Sequence, residues 1–233
     1  MHETLQAKAY RTIKERLLSG IDPQGTRISD FALSKSLGIS RAPIREAMNR
    51  LISENLLVQR AGLGVFVPKP TKEEIENLYQ IRQWLELGAL ESAVPNIDEK
   101  SIATMEESCE IIRRLADELK ENDGCLDPRK LYARLGEADS IFHLTIMQNT
   151  DNELLLELIQ RNRVLKQVWD NNTRTYSAAV LHRICDEHIE ILEAIKSKDL
   201  ERSRAALREH LRLARDITLR KFPIESRKES ATD

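Results

Sequence analysis

The stretch from Ile28 to Val67 constrains this chain more than any other, because its order of elements fits a device that reads double-stranded DNA. Asp30-Phe31-Ala32-Leu33-Ser34-Lys35-Ser36-Leu37 has the spacing of a short amphipathic helix, with Phe31, Ala32, Leu33 and Leu37 available to pack inward. Gly38 ends it, Ile39 fills the turn, and Ser40 stands where a second helix needs its N-cap. That helix opens Arg41-Ala42-Pro43-Ile44-Arg45-Glu46-Ala47-Met48. Pro43 is tolerated in the first turn, where an amide has no intrahelical partner to lose. Ile44, Ala47, Met48 and Leu51 fall on its inner stripe, while Arg41, Ala42, Arg45 and Asn49 face out. Two arginines at i, i+4 on that outer face suit the phosphates and guanine edges of a major groove. Leu57–Arg60 and Val65–Val67 then read as two short strands around Ala61-Gly62-Leu63-Gly64, a hairpin whose glycines let backbone approach a phosphate or a minor-groove floor. Any one of these elements would suit a small helical domain with a solvated basic face. All of them in this order do not.

The charge distribution agrees. The formal net charge of −2 looks wrong for a DNA binder until the chain is divided. Residues 1–70 carry 11 Lys and Arg against 6 Asp and Glu, a balance of +5, and the remaining residues carry 25 against 32, a balance of −7. A nucleic-acid head on a body of other purpose has this asymmetry. Cys109, Cys125 and Cys185 are odd in number and form no C-x-x-C, so they are expected to be reduced thiols rather than a disulfide frame or a zinc knuckle. The amino terminus has no basic-then-apolar signal pattern, and no apolar run approaches the roughly 18 residues of a membrane span. A cytoplasmic protein without a membrane partner is expected.

Pro68-Lys69-Pro70 makes a stiff, helix-breaking joint. Beyond it the periodicity predicts six helices, over about 71–94, 98–121, 128–148, 152–171, 178–196 and 200–221, with no internal repeat of the tetratricopeptide kind. The expected fold is mostly α: a winged helix-turn-helix over 1–69, an all-helical antiparallel bundle over 70–225, and a disordered tail over 226–233. Several inner stripes carry polar residues. Arg82 interrupts Ile75, Leu78, Leu85 and Ala89. Asp139, with His143 one turn on, interrupts Leu131, Leu135, Phe142 and Ile146. His188 lies within Leu181, Ile184, Ile191 and Ile195, and His210 within Ser203, Leu207, Ala214 and Ile217. An unpaired inward charge costs several kcal/mol. One inward histidine is usually a satisfied core residue, but three of the chain's five behave this way. Asp139 and His143 at i, i+4 can share one ion, and His188 and His210 could complete a set of one oxygen and three nitrogens suited to Zn²⁺, Ni²⁺, Mn²⁺ or Fe²⁺, one ion per chain.

Residues 5–69 resemble the winged helix-turn-helix of the GntR superfamily of bacterial transcription regulators. The resemblance is carried by Leu18-Ser19-Gly20, Gly25-Thr26-Arg27-Ile28, the run Leu37 to Ala47, and Gly62-Leu63-Gly64-Val65-Phe66-Val67. It implies that Arg41 and Arg45 contact bases or phosphates, with Ser40 and Ala42 beside them and Gly62 at the wing tip. Phe31 stands where that family commonly has an arginine, so one expected DNA contact is absent. Residues 71–221 resemble the FCD ligand-binding domain of the FadR branch. Asp139-Ser140-Ile141-Phe142-His143, Asn152, Glu187-His188 through Ile195, His210-Leu211 and Arg82-Gln83-Trp84-Leu85-Glu86 match its elements. That resemblance implies Asp139, His143, His188 and His210 as metal ligands, and Arg82 and Asn152 as ligand-binding residues with Arg82 holding an anionic effector. Six helices rather than seven imply the VanR-like subgroup.

The expected function is a homodimeric regulator, a repressor in the simplest case, that binds an inverted-repeat operator and answers to a small carboxylate or hydroxy acid at the metal. Two alternatives stand: a regulator whose effector is the ion itself, and a metal-dependent hydrolase. The second lacks a general base, since Glu187 beside His188 points about a hundred degrees away on an ideal helix.

Overall fold

The computed structural model describes residues 3–122, 124, 126–170 and 176–220, so the expected tail at 226–233 lies outside the described residues. The Thr4 hydroxyl accepts the Ala7 amide and opens α1 (Leu5–Leu18), followed by β1 (Arg27–Ile28), α2 (Asp30–Leu37), α3 (Arg41–Ser53), β2 (Val58–Arg60) and β3 (Gly64–Phe66). The hairpin expected from Leu57 to Val67 is present, and β1 adds an edge the sequence reading did not contain. Arg27 pairs with Phe66 and Ile28 with Val65, which makes a three-stranded antiparallel sheet in the order β1-β3-β2. A two-residue strand shows no alternation to detect. Gly64 has φ +111°, and a Cβ there would lie 2.9 Å from Arg27 Nε, so this register needs a glycine.

The inner stripe of α3 is buried as its spacing predicts: Ile44, Ala47 and Leu51 are fully enclosed and Met48 nearly so, against Ala9, Ile13 and Leu17 of α1. The expectation for α2 holds only in part. Leu33 is buried and Leu37 half-buried, but Phe31 is 65% exposed and Ala32 is exposed. An eight-residue helix presents one i, i+4 stripe to a core, and its first turn faces outward.

After the proline joint come α4 (Lys72–Asn96), α5 (Glu99–Glu121), α6 (Pro128–Gln148), α7 (Glu153–Asp170), α8 (Ala178–Lys196) and α9 (Leu200–Leu219). Their starts follow from local chemistry. Thr71 and Glu74 form a complete capping box, and Asp98, Asp127, Ser177 and Asp199 each accept a first-turn amide. The α5 helix packs against α6 and α8, and α9 against α4 and α8. The interior is built on residues such as Leu90, Met105, Ile112, Phe142, Leu181 and Ile191, each of which gains about 1.5–3 kcal/mol from burial. A second apolar cluster joins the head to the bundle: the buried side chains of α1 and α3 continue into Ile75, Leu78 and Tyr79 of α4 and Val168 and Trp169 of α7. Cys109 and Cys185 are free and buried, with the Cys185 thiol donating to the Cys109 carbonyl, while Cys125 lies outside the described residues. Among the described residues no helix is long and apolar enough to cross a membrane.

Candidate functional site

Two places collect the residues singled out from sequence. The first is the outer face of α3. Arg41, Ala42, Arg45 and Asn49 are all exposed there. Ser40 occupies the N-cap position with extended backbone, but its side chain makes no cap hydrogen bond, so its expected capping role is one of position only. Gly62 lies exposed in the hairpin turn with φ +69°. The sequence reading missed Asp30. Its carboxylate accepts from Arg41 Nε and Nη2, the shortest at 2.9 Å, and from Arg45 Nε at 2.6 Å. The Arg45 hydrogen bond, with help from Arg41 and against the effect of burial, holds the Asp30 carboxyl below its ordinary value. Both arginines are thereby aimed from one anchor, beside a groove that Asn49, Arg27 and Gln59 also line.

The second place is the interior of the bundle. Asp139 and His143 on α6, His188 on α8 and His210 on α9 offer donor atoms that all lie within 4.8 Å of one another. Asp139 Oδ1 is 3.6 Å from His143 Nε2 and 3.5 Å from His188 Nε2, and the two histidine nitrogens are 3.3 Å apart. Ligands about 2.1 Å from a common ion at angles of 90–109° stand roughly 3.0–3.4 Å from each other, so the donor set could hold a divalent ion. The far sides of two rings are fixed by carboxylates. His143 Nδ1 lies 2.7 Å from Glu86 Oε2, and His210 Nδ1 lies 3.0 Å from Glu187 Oε2, which turns each Nε2 toward the cluster in the manner of an orienting outer shell. His188 Nδ1 has no hydrogen-bond partner among the described residues.

The electrostatics suit a cation. Burial opposes ionisation of Asp139, but Arg163 and Lys166 outweigh it and hold the carboxyl well below the usual range. Burial, then the charge of Arg163, keeps His143 far below its ordinary value, and burial with His210 lowers His188 to about 4. The His143 and His188 imidazoles are therefore neutral at pH 7, the form that ligates metals. Beside the cluster opens a cavity of ≈ 60 Å³ whose walls include Asp139, His210, Glu187, Arg163, Lys166 and Tyr132. That is room for several waters or a compact acid.

Three sequence expectations change here. Arg82, expected to hold an anionic effector, is buried and already paired within the protein: its Nε donates to Glu86 Oε1 at 2.8 Å, and both side chains are enclosed. The stripe drawn on α4 was too narrow, since α6, α7 and α9 all pack around this helix and Glu86 is enclosed with it. Arg82 is absent from the cavity wall, although its Nη1 and Nη2 have no hydrogen-bond partner among the described residues. Asn152 is exposed and caps α7 by accepting the Leu155 amide, away from the cavity. Glu187 does not point away: it lines the cavity and backs His210, because α9 packs against that side of α8. The sequence reading also missed Glu86 and Arg163. A clue existed for Glu86, which is i, i+4 from Arg82; Arg163, enclosed only by packing between helices, gave none.

A DNA-reading winged head joined to an all-helical body with a buried His/Asp cluster defines a class, the two-part transcription regulators. Residues 5–67 match the model of the bacterial regulatory proteins, gntR family, and residues 77–213 match that of the FCD domain. The chain belongs to the GntR family, in the group that carries an FCD domain, and is a transcriptional regulator rather than an enzyme. It is 28% identical over 215 residues to the HTH-type transcriptional regulator McbR of Escherichia coli (strain K12), covering 89% of this chain and 90% of that one. It is also 28% identical over 195 residues to the gluconate operon transcriptional repressor of Bacillus licheniformis, covering 80% and 74%. The solved structure of E. coli McbR/YncC superposes with TM-score 0.78 at 24% identity, over 94% of this chain and 99% of that one, which establishes the shared fold.

Proposed function

We propose that this regulator binds an inverted-repeat operator as a homodimer and that a small carboxylate or hydroxy acid, seated on a divalent ion held by Asp139, His143, His188 and His210, controls that binding. The observation that carries the proposal is the convergence of four donors from three helices beside a small cavity, with carboxylates behind two of the rings. Around them the carboxylates Asp139, Glu86 and Glu187 are already matched by Arg82, Arg163, Lys166 and Arg183, so a divalent ion leaves a net positive site that an anion would neutralise. An open coordination position takes the carboxylate, and Arg163 Nε and Nη1, which have no hydrogen-bond partner among the described residues, offer it a second hold. Gluconate, after which the operon of the Bacillus licheniformis repressor is named, is a hydroxy acid, and that relative supports the same chemical class here.

On the head, Arg41 and Arg45 contact base edges or phosphates, Asn49 and the backbone near Ser40 and Ala42 lie beside them, and Gly62 brings the wing to the DNA. One recognition helix reads too few base pairs for useful specificity, so two copies are required. Ile81 and Trp84, exposed on one side of α4, supply an apolar surface for that pairing. A thermal-shift screen of zinc-loaded protein across di- and tricarboxylates, hydroxy acids, sugar acids and neutral controls tests the effector class. A ligand at a hundred times its Kd stabilises by about 2.7 kcal/mol. A matching acid should then change the gel-shift affinity for the operator. Stabilisation by neutral or cationic compounds alone refutes the carboxylate.

A further inference from the structure

One helix is shared by the cavity and the head. On α7, Arg163, Lys166 and Gln167 line the cavity. Val168 and Trp169 are members of the head's apolar cluster, and Val164 and Leu165 pack against it. At about 100° per residue these two sets point roughly 170° apart, so opposite faces of a single helix meet the pocket and the head. Two hydrogen bonds tie the second face down. Arg161 Nη2 donates at 2.8 Å to the carbonyl of Ser53, the last residue of α3, and Gln24 Nε2 donates to the Trp169 carbonyl. On the first face Arg163 is 4% exposed and gives Nη2 to Asp139, while its Nε and Nη1 have no hydrogen-bond partner among the described residues.

We propose that α7 carries pocket occupancy to the DNA-binding head, with Arg163 as the residue that senses it; this rests on the metal-and-anion reading above. Arg163 is held by Asp139 and, at 3.9 Å, by Glu86; a cation beside Asp139 draws off the first of these charges, and an anion in the cavity offers Nε and Nη1 a hydrogen-bond partner. Either change alters where the guanidinium is best satisfied. A close-packed helix answers by moving as a body, which displaces the end of the recognition helix bonded to Arg161. The α4 and α9 helices also reach the head's cluster, through Ile75 and Leu78 and through Ala214 and Leu219. What α7 adds is a buried charge in the cavity wall on one side and direct hydrogen bonds to the head on the other.

Zinc alone is the probe. Hydrogen exchange of the full chain is followed by mass spectrometry with and without Zn²⁺, with zinc affinity measured by calorimetry on the same samples. The expected result is altered protection both in α7 and in the last turn of α3. The double variant Arg161→Ala/Gln24→Ala, altered only at the head interface, should bind zinc as wild type does and keep the response in α7. The response in α3 should disappear. Zinc binding without any change in α7 or α3 overturns the relay while leaving the metal reading intact, as does a double variant that transmits undiminished. Absence of zinc binding overturns the metal reading and the relay with it.

Discussion

Replacing Glu86 with glutamine should damage both stability and metal binding, although Glu86 touches neither DNA nor the cavity. Its side chain is fully enclosed, with Oε1 receiving Arg82 Nε at 2.8 Å and standing 3.9 Å from Arg163 Nη1, and Oε2 lying 2.7 Å from His143 Nδ1. Burial disfavours the ionised form, but Arg82, His143 and Arg163 hold the carboxyl below its ordinary range, so the charge is present at neutral pH. Glutamine keeps the volume and leaves no cavity, which isolates the electrostatic loss. Two buried guanidiniums would then share the charge of Asp139 alone. Breaking a buried ion pair by removing one partner costs about 3–5 kcal/mol. At about 2–4 °C per kcal/mol for a chain of this size, Tm of the metal-free protein should fall by roughly 6–20 °C. Glutamine has one acceptor oxygen where Glu86 uses two, so the bond to His143 is either lost to Arg82 or kept without its charge, and such outer-shell losses lower metal affinity about 10–100-fold. Differential scanning calorimetry and zinc titration calorimetry at neutral pH read the two effects. A variant with wild-type Tm and wild-type zinc affinity would refute the assignment of Glu86 as the organising charge of the site.

Arg45→Ala should weaken operator binding by about 1–3 kcal/mol if the arginine reads a base edge, and weaken it equally on unrelated sequences if it holds a phosphate; gel-shift titration on both DNAs distinguishes the two, and wild-type binding by the Arg41 and Arg45 variants would disprove the recognition face. Asp30→Asn should free both arginines and raise affinity for non-operator DNA more than for the operator, since the shared anchor that aims them is lost. The metal-free protein should lose stability in mild acid. His188 titrates near 6.5 when unfolded and about 4 when folded, so only the unfolded chain takes up its proton between those values. Its stabilising effect is complete above about 6.5 and falls by about 3 kcal/mol as the pH drops to 4. Denaturation midpoints across that range check the sign, and bound zinc should shift the decline to lower pH.

Two helices of the bundle were legible at their starts because caps and a proline punctuate them: Thr71 with Glu74, and Asp127 before Pro128, mark starts within a residue or two of those observed. The inward Asp139, His143, His188 and His210 were legible too, as polar interruptions of apolar stripes. What lay behind them was not. Glu86 and Glu187 sit off the stripes of their own helices and are enclosed by neighbours, a fact of packing between helices that one-helix periodicity does not contain. Arg163 was invisible for the same reason, and Asp30 because its two partners lie one helix further on. Asn152 shows the opposite case: a motif position implied a ligand contact, and the side chain is found closing a helix end.

Metal content tests the central proposal most directly. Protein made without a histidine tag should carry close to one divalent ion per chain by elemental analysis, and His188→Ala should lose it while still folding to a helical protein by circular dichroism. Wild-type protein that is metal-free, and stays so after dialysis against Zn²⁺, Ni²⁺ and Mn²⁺, would contradict the account and leave the three buried histidines as core residues held by Glu86, Asp139 and Glu187.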